Sequence, residues 1–178
     1  MASEDENQPA AGNGNITLKS SDGREFAISK SAAALSAAIE EMMKDMPAEE
    51  TEIPLQDVDG ETLHNVVTYL NAHAAAGDNE TGDNENEKKR FDGEFLPGKP
   101  EMGVLFDVVL AANNLKIEGL MDLVSGKIAD RIKNKSVEWV RREFDFENDL
   151  TAEEVSEMMD QTPWAFEGVD PDEEQLVD

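Results

Sequence analysis

The sequence contains no cysteine, only 15 lysines and arginines among 178 residues, and 6% aromatic residues. Without cysteine, the chain can form neither disulfides nor thiolate metal sites. Because Asp and Glu number 41, the formal net charge is -26, and this charge repels nucleic-acid backbones and anionic membrane surfaces. No apolar run approaches the ~18 residues that a membrane-spanning helix needs. The composition therefore predicts a protein that binds neither nucleic acid nor membrane.

The two ends of the chain are polar. Residues 1–15 contain Pro9 and several Gly and Asn, and they are predicted to form a disordered arm. This segment has no basic start and no apolar centre, so it is not a signal peptide and we expect an intracellular protein. Residues 168–178 are predicted to form an acidic tail.

Two segments alternate apolar and polar residues in the manner of β-strands. In Ile16–Ser29 the alternation is interrupted by Asp22-Gly23, which tolerates the positive φ of a tight turn, so the segment predicts a hairpin. Glu52–Gln56 predicts a third, short strand. Because Pro54 cannot donate a hydrogen bond to a β-ladder, this strand is expected at an edge of the sheet or only partly paired.

Other apolar residues follow helical spacing. Ser29–Met46 predicts a helix in two pieces with Ser36 as the N-cap of the second, and Asp59 is expected to cap another helix. Leu105–Ile132 predicts two amphipathic helices connected by the polar joint Asn113–Lys116. The predicted apolar stripes are Leu35, Ile39, Met42, Met43 and Met46; Leu63, Val66, Val67, Leu70 and Ala74; Leu105, Val108, Val109 and Ala112; and Ile117, Met121, Val124, Ile128 and Ile132.

Two shorter helices are predicted near the end of the chain. Ser136–Phe144 has helical spacing, and Thr151 with Glu154 forms a capping box that begins the next helix. The order of strands followed by helices predicts an α+β fold with a small sheet and a dominant helical part.

The segment Gly77–Arg90 contains no apolar residue. It cannot bury enough surface to offset the entropy of ordering it, so a flexible acidic loop inserted between two helical parts is predicted. A calcium site is disfavoured, because the segment lacks the order of Asp or Asn, Gly and terminal Glu that a calcium loop requires.

No catalytic grouping is recognisable. His64 and His73 are nine residues apart in one predicted helix, so they do not form an i, i+4 pair of metal ligands. Nucleotide-binding glycine motifs and the GxSxG motif are absent. We therefore assign no catalytic, metal-binding or cofactor-binding residue and expect a protein that is not an enzyme.

The last helices are rich in apolar residues that lie beyond the predicted main core. They could pack on one another, or they could form an open groove for an amphipathic helix of another chain. Eight methionines and a late Trp would suit an adaptable binding surface. Composition alone leaves both interpretations open. The residues concerned are Ile128, Ile132, Val140, Phe144, Phe146, Val155, Met158, Trp164 and Phe166.

The segment LFDVVLAANNLKIEGLMDLVSGKIADRIKNKS, followed by VRREFDFENDLTAEE and Trp164, resembles the Skp adaptor family. Members of this family connect F-box proteins to a cullin in SCF ubiquitin ligases. The SSDG turn at Ser20–Gly23, the EIPLQ strand, the acidic loop and the triplet Glu94–Leu96 resemble the same family. The resemblance covers roughly residues 16–164.

This resemblance implies a BTB/POZ-like α+β domain at residues 16–133, with an acidic loop at 77–90, and a C-terminal helical extension at 134–167. The implied function is that of an adaptor without catalytic activity, present in cytoplasm and nucleus. The alternative is a BTB-type module that binds F-box helices outside ubiquitin ligases, in a kinetochore or transport complex. A weak homodimer in the absence of an F-box protein is also left open.

The resemblance also implies which residues contact partners. The joint at Asn113 and Asn114 corresponds to the cullin-binding position, where the family usually has Asn followed by Tyr. Asn114 is therefore a departure that removes an aromatic contact. The implied F-box-binding residues are Val124, Ile128, Ile132, Val140, Phe144, Phe146 and Trp164.

Overall fold

A computed structural model of the chain describes residues 15–47, 50–77 and 82–169. Residues 1–14 of the arm predicted at 1–15 and residues 170–178 of the tail predicted at 168–178 lie outside the described residues, and Asn15 belongs to the first strand instead of the arm. The chain divides into two compact units, the first ending at Ser125 and the second beginning at Gly126. Among the described residues, no helix combines the length and apolar character required to cross a bilayer.

The sheet of the first unit has three strands in the order β2-β1-β3. Strands β1 (Asn15–Ser20) and β2 (Glu25–Ser29) form the predicted antiparallel hairpin, and Gly23 in the turn has φ +86°. Strand β3 (Glu52–Leu55) pairs parallel with β1 and lies at an edge, as Pro54 predicts. Leu18 on the central strand is completely buried.

In the described part of the first unit, six helices begin. They are α1 (Lys30–Ala33), α2 (Ala37–Asp45), α3 (Gly60–Ala76), α4 (Gly82–Glu94), α5 (Met102–Asn114) and α6 (Glu118–Ile132), and α6 continues into the second unit. The predicted N-caps are confirmed. The Ser36 hydroxyl accepts a hydrogen bond from the Ile39 amide at 3.1 Å, and the Asp59 carboxylate accepts one from the Thr62 amide at 3.0 Å. The bonds from Thr62 lower the pKa of Asp59.

The core of the first unit is built on the apolar stripe of α3, where Leu63, Val66 and Leu70 are completely buried. Helix α5 packs against α3. On the predicted face of α5, Leu105, Val108 and Ala112 are buried and Val109 is half-buried. Its buried residues are Met102, Leu105, Val108, Ala111 and Ala112. On α2, Ile39 is buried as predicted, whereas Leu35 and Met42 are exposed.

The prediction of an unstructured acidic loop at 77–90 is wrong for residues 82–90, which belong to α4. A pair between Glu85 and Lys89, with 2.6 Å between Nζ and Oε1, supports the helix at i, i+4 spacing and lowers the pKa of Glu85. The apolar residues that anchor the helix lie just beyond the segment. Phe95 is buried, and its ring centroid is 5.9 Å from that of Tyr69 on α3. Residues 82–90 therefore depend on contacts that their own composition does not reveal, and residues 78–81 of the predicted loop lie outside the described residues.

Tyr69 connects three helices of the first unit. Its ring stacks on His73 at 4.1 Å, and His73 Nε2 is 2.9 Å from Asp92 Oδ1 on α4. Burial, together with the charges of Asp92 and Asp122, raises the pKa of Tyr69 to about 12. A Cβ at Gly119 would lie 2.5 Å from the Tyr69 hydroxyl, so this glycine lets α6 approach α3 closely. His73 is therefore a packing residue, and the described residues contain no group of three or more potential metal ligands.

The second unit contains the end of α6, two further helices and a short turn. These are α7 (Val137–Glu143), α8 (Ala152–Gln161) and a 3-10 turn (Pro163–Phe166). The predicted caps are confirmed at Ser136, whose hydroxyl accepts from the Trp139 amide at 2.9 Å, and at the capping box of Thr151 and Glu154.

A matched pair of leucines on α5 tests the assignment of its buried face. Leu105 is 2% exposed and Leu110 is 59% exposed. We expect Leu105→Ala to lower the free energy of unfolding by about 2–5 kcal/mol, because it leaves a cavity in the core. Leu110→Ala should change it by no more than about 0.5 kcal/mol. Urea melts of both variants measure the difference, and equal losses would contradict the assignment.

Candidate protein-binding surfaces

The helices of the second unit leave their apolar side chains open. Neither α7 nor α8 contains a buried residue. Large exposed apolar patches on a folded protein often mark sites of protein–protein interaction. We call these side chains the second-unit surface; its large exposed members are Val137, Phe146, Met158, Met159 and Trp164.

A sharp reversal after α7 presents two phenylalanines together. Asp145 adopts φ +54°, and the Phe146 amide donates to the Arg141 carbonyl at 2.8 Å. As a result, the rings of Phe144 and Phe146 stack with 5.6 Å between centroids and 28° between planes. Phe144 is half-buried and Phe146 is 61% exposed, so the pair forms an apolar platform with one open member.

An ion pair between Arg131 and Glu143 connects the last turn of α6 to the end of α7. Both side chains are about a quarter exposed, at 23% and 24%, so water screens the pair less than it screens a pair on the open surface. The pair holds the part of α6 that carries Ile128 and Ile132 beside α7. These two isoleucines are half-buried.

Helix α8 is held by its N-terminal cap rather than by a core. The Thr151 amide donates to Glu154 Oε2 at 2.8 Å, and the Glu154 amide donates to the Thr151 hydroxyl at 3.3 Å. The bonds from Thr151 lower the pKa of Glu154. The cap keeps Met158 and Met159 on a helical face, and the Thr162 hydroxyl donates to the Met158 carbonyl at 2.8 Å just before the 3-10 turn. In that turn Trp164 is 73% exposed.

The predicted F-box-binding residues differ in their exposure to solvent. Phe146 and Trp164 are exposed, while Ile128, Ile132, Val140 and Phe144 are half-buried and retain some accessible surface. Val124 is completely buried. As a direct contact Val124 is therefore a poor choice, because a side chain without accessible surface cannot reach a partner.

Val137 and Met159, which are 43% and 42% exposed, were left out of both the possible groove and the implied F-box set. Met158, which is 41% exposed, was named for the possible groove but not for the implied F-box set. The signal that could have found Val137 and Met159 is their position in short helices that follow a complete core. Amphipathic stripes of this kind have too few neighbours in the chain to cover them.

A second surface lies at the end of α5. Asn113 and Asn114 are exposed, and Leu110, one turn earlier on the same helix face, is 59% exposed. We call Leu110, Asn113 and Asn114 the α5-end surface. Leu110 was missed because the prediction considered only the polar joint. The sequence could have revealed Leu110 as an apolar residue that lies outside the helical stripe defined by Leu105 and Val108.

Comparison with known proteins identifies the family. Residues 14–75 match the Skp1 family, tetramerisation domain, and residues 118–165 match the Skp1 family, dimerisation domain. SKP1-like protein 4 of Arabidopsis thaliana is 39% identical over 159 residues, covering 85% of this chain and 96% of the relative. SKP1-like protein 20 of Oryza sativa subsp. japonica is 38% identical, covering 85% and 94%.

The fold and the surfaces define a class: an α+β POZ-type unit followed by helices with exposed apolar side chains. The matched regions fall on both units, and the relatives are aligned over nearly their whole length. The chain belongs to the Skp1 family. The resemblance and the POZ-type α+β fold predicted from the sequence are confirmed.

The capping box of α8 can be tested directly. Replacing an N-cap Thr by Ala typically costs about 0.5–2 kcal/mol, and α8 has no buried side chain to compensate. We expect Thr151→Ala to accelerate hydrogen exchange of the α8 amides while the midpoint of global unfolding changes little. Hydrogen exchange with mass spectrometry measures both effects. Unchanged protection in α8 would mean that the cap does not hold this helix.

Proposed function

We propose that this protein is an adaptor without catalytic activity that connects an F-box substrate receptor to a cullin in a ubiquitin ligase. The observation that carries the proposal is the set of exposed apolar side chains in a chain of the Skp1 family. An adaptor of this kind holds receptor and cullin in one assembly. Transfer of ubiquitin to the bound substrate then becomes effectively intramolecular, with a high local concentration of the reacting groups.

The second-unit surface is proposed as the F-box-binding site. Its residues follow helical spacing, which suits an amphipathic helix that lays its apolar face into a groove. Phenylalanine and tryptophan supply large contact areas, and methionine adapts to different partner shapes. One adaptor could therefore receive several F-box proteins that share the helix pattern but not its side chains.

The α5-end surface is proposed as the cullin-binding site. An exposed leucine beside two exposed asparagines offers one apolar anchor with polar neighbours. This arrangement fits the apolar centre and polar rim of protein interfaces. The net charge of -26 would favour a partner with a basic contact surface and accelerate its approach. Cytoplasm and nucleus are proposed as the locations of the complex.

A second candidate is an F-box-binding module that does not engage a cullin. Asn114 favours it, because an asparagine here supplies less apolar contact than the tyrosine usual in the family. Affinity purification with mass spectrometry distinguishes the adaptor from this second candidate: an F-box protein together with a cullin supports the adaptor, and an F-box protein alone supports the second candidate.

A homodimer through the second-unit surface is a further proposed state of the chain without its partner, since Phe146 and Trp164 are otherwise exposed to water.

Trp164 is expected to be an anchor for the F-box partner. Since its side chain is 73% exposed, Trp164→Ala should change the free energy of unfolding by no more than about 0.5 kcal/mol. The loss of F-box affinity should be about 2 kcal/mol or more, as for central aromatic residues of interfaces. Urea melts and calorimetric titration with a co-purified F-box protein measure the two quantities.

The control for this experiment is Leu105→Ala, which should lose stability first. If Trp164→Ala unfolds the free chain while its folded fraction binds normally, then Trp164 belongs to the fold and not to the interface.

Asn114→Tyr is expected to strengthen cullin binding. A tyrosine at this position restores an aromatic contact on the α5-end surface, and aromatic anchors often dominate interfaces. We expect an affinity gain of roughly tenfold, or about 1.4 kcal/mol. The matched control is Asn71→Tyr, the same change at an exposed position on α3, which should leave the affinity unchanged. Unchanged or weaker binding by Asn114→Tyr would remove the joint from the interface.

A further inference from the structure

The α5-end surface is attached to a distant part of the sequence through one buried hydroxyl. After α5 ends at Asn114, the chain reverses with Lys116 at φ +52°, and Leu115 and Ile117 are buried. The Leu115 carbonyl accepts a hydrogen bond from the Ser36 hydroxyl at 2.5 Å and a longer one from the Ala38 amide at 3.4 Å. Ser36 is completely buried, so this connection is shielded from water.

Ser36 performs two tasks with the same oxygen atom. It accepts the Ile39 amide, which caps α2, and it donates its proton to Leu115. A hydroxyl offers one donor and two acceptor positions, so both bonds can form together. The sequence pattern predicts the first bond only. The second joins two segments that are 79 residues apart in the sequence.

We propose that Ser36 is a positioning residue for the α5-end surface, an inference that rests on the proposed function of that surface. Leu115 directly follows the exposed Asn113 and Asn114, so the bond to its carbonyl fixes where the reversal begins. A second, exposed connection between Lys116 and Glu41, with 3.4 Å between Nζ and Oε2, lies beside it. Ser36 therefore holds the asparagines in one position relative to α2 before a cullin binds.

A purely structural role would predict a different outcome. If Ser36 acted only as a helix cap, its loss would resemble the loss of any other serine cap in this unit. Ser29 provides that comparison: it caps α1 by accepting the Ala32 amide at 3.1 Å, and its hydroxyl also forms a hydrogen bond with that of Ser31 at 2.8 Å. Ser29→Ala removes a cap of the same kind without touching the bond to Leu115.

The experiment compares Ser36→Ala, Ser29→Ala and the conservative variant Ser36→Thr, which keeps the hydroxyl. The probe is the cullin that the wild-type chain captures, titrated at a temperature at which circular dichroism finds all variants folded. We expect Ser36→Ala to lose cullin affinity roughly tenfold, equivalent to about 1.4 kcal/mol, while Ser29→Ala changes little and Ser36→Thr retains most of the affinity. Affinity for an F-box protein should stay the same in all three variants.

Hydrogen exchange gives a second measurement that needs no partner. The Lys116 amide donates to the Asn113 carbonyl at 3.1 Å and the Ile117 amide to the Ala112 carbonyl at 2.8 Å, so these amides report closure of the joint. Both should exchange faster in Ser36→Ala than in Ser29→Ala. If Ser36→Ala does not fold, Ser36→Cys replaces it, because a thiol, although somewhat larger, leaves no cavity and donates only weakly.

Equal cullin affinities for the Ser36 and Ser29 variants would overturn the inference, and so would equal exchange of the joint amides. If the wild-type chain captures no cullin, the proposed function fails instead. Exchange at Lys116 and Ile117 then decides whether Ser36 positions the joint: acceleration confined to the Ser36 variant supports it, and no difference rejects it.

Discussion

Helix α3 is the element on which the first unit depends. It packs against α1, α4, α5 and the strands β1 and β2, and Leu63, Val66 and Leu70 on its inner face are completely buried. Full burial of each such side chain contributes about 1.5–3 kcal/mol relative to exposure. Because one side of α5 packs on α3, this core also determines that Leu110, on the other side of α5, is exposed. The α5-end surface is thus a consequence of the packing that covers the opposite side of the same helix.

Electrostatic interactions contribute little to this stability. The net charge of -26 opposes a compact chain through repulsion between carboxylates. The exposed pairs Lys19–Glu52 and Lys44–Glu40 belong to a class that contributes only about 0–1 kcal/mol each. Apolar burial and well-placed helix caps must therefore supply the stability. The excess negative charge acts outward, where it repels other negatively charged molecules.

The two units use their apolar residues in opposite ways. The first unit encloses most of them, whereas α7 and α8 have no buried residue, and the second unit exposes Met158, Phe146 and Trp164. A segment of about 50 residues cannot bury as large a fraction of its surface as a full domain can. Its helices are held by the Ser136 and Thr151 caps and by the pair of Arg131 with Glu143. A partner helix would supply the core that this unit lacks, which gives a physical reason for a binding role.

Much of the fold was determined by local sequence. The hairpin with its turn at Gly23 and the caps at Ser36, Asp59 and Thr151 all follow from residues close in the chain, because turns and caps are satisfied within three or four residues. The sequence motifs likewise sufficed to recognise the family. These features do not depend on which distant segments come together.

Only the tertiary structure decided the features that depend on distant contacts. Residues 82–90 are helical because Phe91 and Phe95, just beyond them, pack against Tyr69. Val124 is buried, Leu110 is exposed, and Ser36 reaches Leu115 across 79 residues. A helical stripe tells which residues share a face, but not which faces find a neighbour. Local sequence therefore determined most of the helices and strands, whereas long-range packing decided the helix at residues 82–90 and which side chains remain accessible.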